Sequence, residues 1–139
     1  MRATLRIVLV MPLLLLGGCP PELHAFVRND SGEAVVVVVF DEEQPIAAGE
    51  TRRLTAVPGA GPTDWTVRRG SRTFRYAKAF APPDGHQGSY FLFWRSVRLA
   101  LDAEGRFWLL PRHADDGTEP LSPQPPGFPV VPSSGAAAS

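Results

Sequence analysis

The chain is poor in the residues that staple or decorate small domains. It has one cysteine, Cys19, in 139 residues. No intrachain disulfide can form, so a packed core must supply the stability. Lysine is nearly absent: Lys78 stands alone, and the remaining basic charge is arginine. The 14 basic residues are balanced by 14 acidic ones, which leaves none of the basic excess that a nucleic-acid partner would require. His24, His86 and His113 are far apart in sequence, so no metal-ligand spacing is present. There is no Gly-x-Ser-x-Gly elbow. Gly59-Ala60-Gly61-Pro62 is followed by neither a lysine nor a helical pattern, so it is no phosphate loop. Asp41, Glu42 and Glu43 read as a solvated corner and not as paired catalytic carboxylates. These absences predict a protein that is not an enzyme and carries no metal or cofactor.

Long apolar runs are also scarce. The one run, residues 7–16 (IVLVMPLLLL), lies behind Arg2 and Arg6. Ten helical residues cover about 15 Å, half of a hydrocarbon core about 30 Å thick. The run is too short to span a bilayer and fits the apolar region of a cleaved export signal. It ends in Leu16-Gly17-Gly18-Cys19.

That ending resembles the lipobox of bacterial lipoproteins. The resemblance covers residues 1–19 only. It implies a diacylglycerol thioether on Cys19, cleavage before it, and N-acylation with a fatty acid such as palmitate. Pro20 follows Cys19; an Asp there often marks retention at the inner membrane. The implied location is therefore the outer membrane, with the domain on its periplasmic face. A lone cysteine in an oxidising compartment agrees with a thiol consumed by an anchor. The chain then divides into a signal peptide (1–18), an acylated cysteine with a short tether (19–23), a globular domain (24–112) and a proline-rich tail (113–139). Cleavage would leave 121 residues with 12 basic and 14 acidic side chains, one small domain at most.

Residues 24–112 read as strands. Segment 24–28 is followed by the turn Asn29-Asp30-Ser31-Gly32. Segment 34–40 (AVVVVVF) has no alternation and reads as a central strand buried on both faces. Further strands are expected near 52–56, at 65–69 and 72–80 across Gly70-Ser71, at 90–94, at 97–101 and at 106–110. No 3.6-residue period follows Cys19. The expectation is an all-β domain, a small antiparallel sandwich or barrel of seven to eight strands.

In the tail, Pro120, Pro123, Pro126, Pro129 and Pro132 recur every third residue. A polyproline II helix would align them along one edge, offering Phe128 to an aromatic groove or to the domain itself. Such composition is more often a disordered tail, and a disordered tail is the expectation taken here.

If successive strands alternate direction, loops 29–32, 57–64, 81–89 and 102–105 share the end remote from the chain's entry. Loops carry recognition more often than strands do. Asp64, Asp84, His86 and Gln87 are thus candidate binding residues. Trp94 joins them, from a stretch (YFLFW) that is aromatic on both faces, as does Phe128. The four loop aspartates Asp30, Asp64, Asp84 and Asp102 are ordinary turn formers that could share one end. The expected function is a non-enzymatic accessory or assembly module of the bacterial envelope, anchored to the lipid bilayer through Cys19 and contacting an envelope protein partner. The alternative is a binding protein for glycan, peptidoglycan or a small ligand that uses the distal loops and aromatics.

Overall fold

The computed structural model describes residues 23–56, 65–76, 85–86, 88–91 and 94–137. Cys19 lies outside them. The described residues form an all-β sandwich with no helix. Ten strands are present: β1 (Leu23–Asn29), β2 (Val35–Val39), β3 (Glu42–Ile46), β4 (Thr51–Ala56), β5 (Trp65–Arg69), β6 (Arg72–Tyr76), β7 (Gly88–Phe91), β8 (Trp94–Leu101), β9 (Phe107–Leu109) and β10 (Ser134–Ala137). One sheet runs β4-β1-β8-β7, with β9 also paired to β8; the other runs β10-β6-β5-β2-β3. These are two distinct sheets and not a closed barrel.

The core lies between the sheets. Val27, Val37, Ile46, Leu99, Phe107 and Leu109 are fully enclosed. Val35, Val37 and Val39 of β2 point inward, while Val36 and Val38 are half-buried on the outer side. The valine run is therefore a central strand, but one with a single buried face. Phe107 anchors the centre. Its ring meets Trp65 edge-on at 5.9 Å and Tyr76 at 5.0 Å. The Tyr76 hydroxyl donates to the Gly105 carbonyl at 2.6 Å, and burial pushes its pKa well above the ordinary phenol value. Gly105 has φ +78°, and a Cβ there would lie 2.7 Å from the Phe74 ring. Only glycine satisfies both the backbone and the space.

The structure departs from the sequence expectations in four further places. Residues 42–46, read as a solvated corner, form β3. Phe40 and Asp41, with φ of 50° and 63°, make the two-residue turn that folds β3 back on β2. Positive φ at both central residues matches the twist of a hairpin, even without the usual glycine. Secondly, the sheet is not wholly antiparallel: β1 pairs parallel to β8, from Leu23↔Arg95 to Asn29↔Leu101. Thirdly, the alternating-direction argument fails for 57–64. Ala56, the last described residue before that segment, pairs with Leu23 at the entry end. The chain crosses between sheets after β1 and again after β3, so direction does not simply alternate. Loops 29–32 and 102–105 do share an end, since the Asp30 amide donates to the Leu101 carbonyl at 2.9 Å.

Fourthly, the proline-rich segment is laid along the sandwich and is not a disordered tail. Leu121, Phe128 and Val130 are packed against the core. Val130 exchanges backbone hydrogen bonds with Phe107, both at 2.9 Å. The Gln124 side chain imitates a strand: it accepts from the Leu109 amide and donates to the Leu109 carbonyl, each at 2.9 Å. Bends at 122–123 and a turn at 126–127 interrupt any continuous polyproline helix. Ser133 then bonds the Arg75 carbonyl, and β10 completes the edge of β6.

Candidate functional site

The end of β1 and β8 opposite Leu23 carries a polar groove of about 440 Å³. The parallel β1–β8 pair creates it by setting Arg28 and Asp30 beside Ala100 and Asp102. Gly49 of the β3–β4 turn forms one wall. Trp108 of β9 and residues Asp116, Gly117, Glu119 and Pro120 of the return segment form another.

Arg28 is the buried charge of the site. Its side chain is 9% exposed. Nε donates to both Asp30 carboxylate oxygens (2.8 and 3.0 Å), Nη2 donates to Oδ2 (2.7 Å), and Nη1 donates to the Thr118 carbonyl (2.9 Å). A buried guanidinium needs such partners, because an unpaired one would carry a large desolvation cost. Arg28 thereby ties the return segment to the first strand.

Asp102 organises the other wall. Oδ1 accepts from the backbone amides of Glu104 (2.9 Å) and Arg106 (2.8 Å). Oδ2 accepts from Arg106 Nε and from the Trp108 indole, both at 2.7 Å. Partial burial pushes its carboxyl upward. The hydrogen bonds from Trp108 and Arg106, with the Arg106 charge, outweigh that and hold it below the usual carboxylate range. The Arg106 guanidinium sits 5.2 Å over the Trp108 ring. Asp116 accepts from the Thr51 hydroxyl at 3.3 Å.

The groove therefore offers one guanidinium, several carboxylates and an indole edge. The groove is open to solvent, and its charged groups lie beside apolar surface from Ala100, Trp108 and Pro120. Most of its charges are already engaged in holding the fold. Among the described residues, no three His, Cys, Asp or Glu side chains are disposed to hold a metal ion.

The structure does not gather the sequence candidates at this groove. Asp64, Asp84 and Gln87 lie outside the described residues. His86 is half-buried just before β7, whose Gly88 pairs with Ser96. Trp94 opens β8 and pairs with Phe91. Phe128 is a packing residue against the core, with Leu121 and Val130. Of the four loop aspartates, Asp30 and Asp102 do meet at one site. Arg28, Asp116 and Glu119 carry no signal in the sequence that marks them as binding candidates. Arg28 sits on a strand and reads as surface charge, and Asp116 and Glu119 fall in the segment taken for a tail.

Comparison with protein-family models, with curated proteins and with solved structures finds no match to this chain.

Proposed function

We propose that the chain is a lipid-anchored lipoprotein on the periplasmic face of the bacterial outer membrane, acting as a non-enzymatic accessory or assembly module. One observation carries this reading: Leu16-Gly17-Gly18-Cys19 behind the short apolar run and its two arginines. Two or more acyl chains hold a protein far more firmly than one. The fold is compatible with a close anchor. β1 begins at Leu23, four residues after Cys19, and four extended residues reach no more than about 14 Å. β1 is an interior strand, flanked by β4 and β8. Its seven residues carry the chain about 20 Å to the end that bears the groove. A module tethered in this way turns its groove away from the anchoring leaflet, towards a partner.

Changing Cys19→Ala and fractionating cells tests the proposal. The expected result is transfer of the protein from the membrane to the soluble fraction. Undiminished membrane association contradicts it. The second reading, a receptor for glycan, wall fragment or small ligand, is favoured by the Trp108 and Arg28 groove. Co-purification separates the two: a stable protein complex supports the assembly module, and a bound wall fragment supports the receptor.

A further inference from the structure

The β5–β6 hairpin concentrates positive charge in a way the rest of the molecule avoids. Arg68, Arg69, Arg72 and Arg75 fall within eight residues of a chain with balanced charge. Arg69 and Arg72 are direct cross-strand partners beside the Gly70-Ser71 turn. Cβ atoms of such partners lie about 4.5–5.5 Å apart, and like charges placed there repel. Four other arginines are answered by carboxylates. Arg28 pairs with Asp30, Arg52 with Glu50, Arg68 with Glu43, and Arg106 with Asp102 and Glu104.

Arg69, Arg72 and Arg75 have no carboxylate partner among the described residues. Arg69 leans over the Phe74 ring at 5.6 Å, and Arg72 and Arg75 are exposed. The neighbouring strands bring no acid to them. β5 (WTVRR) has none, and β10, which runs beside β6 from Ser134↔Arg75 to Ala137↔Arg72, is Ser-Gly-Ala-Ala. β10 pairs with β6 and its sequence carries no charge.

We propose that the tip of this hairpin is a binding site for phosphate groups, held between Arg69 and Arg72, with Arg75 adding longer-range attraction from the opposite face of the sheet. A phosphate between two opposed guanidinium groups would convert their repulsion into paired charge-assisted hydrogen bonds, for which the planar guanidinium fork is suited. Arg75 stands three residues along β6 from Arg72, about 10 Å at the rise of a strand, and so acts at about one Debye length at 0.1 M salt. Phospholipid headgroups and soluble phosphate chains share this chemistry.

The test uses the full chain in neutral-detergent micelles. It is titrated by calorimetry with inorganic tripolyphosphate and, separately, with the same micelles doped with phosphatidylglycerol. Saturable binding of at least one probe is expected. The double variant Arg72→Gln/Arg75→Gln should weaken it at least about tenfold, the scale of a lost charged hydrogen bond. Arg112→Gln, a change at an exposed arginine outside the hairpin, should leave binding intact. Binding of tripolyphosphate alone assigns the site to soluble phosphate, and binding of the doped micelles alone assigns it to headgroups. Either outcome supports the proposal. No binding of either probe overturns it, as does equal loss in the Arg112→Gln control or full binding by the double variant. Both substituted arginines are exposed, so far-UV circular dichroism and the melting temperature should match the parent, which keeps a lost signal from being mistaken for unfolding.

Discussion

The turn after β8 and the hairpin between β5 and β6 use charge in opposite ways. In the first, Asp102 collects four hydrogen bonds, and Arg106 divides itself between Asp102, Glu104 and the Trp108 ring. In the second, Arg69 faces Arg72 with no carboxylate among the described residues to separate them. Both lie on tight connections of the same sandwich. The difference predicts that the fold depends on Asp102 more than on Arg72. Charge engaged on every side reads as architecture. Charge left unanswered is available to something outside the chain.

Substitutions can break or sharpen this contrast. The largest effect is expected below the Asp102 turn, where Phe107 is wholly enclosed against Trp65 and Tyr76. Phe107→Ala should cost about 3–5 kcal/mol in chemical denaturation, because it leaves a cavity that three elements share. A loss below about 1 kcal/mol would mean the return segment collapses into the space. Next comes Asp102→Asn, expected to cost about 1–3 kcal/mol, since the charge that answers Arg106 is gone and an Asn amide must turn two of the four donors away.

The pH dependence of the same residue follows from its lowered carboxyl. A group with a depressed folded pKa stabilises the fold above its unfolded value, about 4. That contribution is lost as pH falls through the lower folded value. Denaturation midpoints of the parent should therefore drop on acidification below about pH 4 more steeply than those of Asp102→Asn. Parallel curves would remove Asp102 from its structural role. The smallest effect belongs to the hairpin. Arg72→Gln should change stability by no more than about 0.5 kcal/mol, and in the stabilising direction, because it relieves a like-charge pair. A clear destabilisation would place Arg72 with Asp102 among the structural charges.

Strand identity was largely legible from the sequence where side chains alternate or β-branch, as in Trp65–Arg69 and the valine run. It was not legible at Glu42–Ile46. Strand signals there depend on a recognisable turn, and Phe40-Asp41 adopts the turn without glycine or asparagine. The return segment was hidden for a related reason. Its contacts come from Leu121, Gln124, Phe128 and Val130, set among prolines that read against both a helix and a central strand. The groove was half legible. Asp30 and Asp102 read as loop residues of a common end. Nothing local announces the parallel β1–β8 pairing that brings Arg28 and Trp108 to them, because that contact joins distant parts of the chain.

The central claim concerns Cys19, and intact mass analysis of the mature polypeptide from membranes tests it most directly. The account predicts a chain that begins at Cys19 and carries a diacylglycerol thioether. A free, unmodified thiol at Cys19, or a first residue elsewhere, would contradict it.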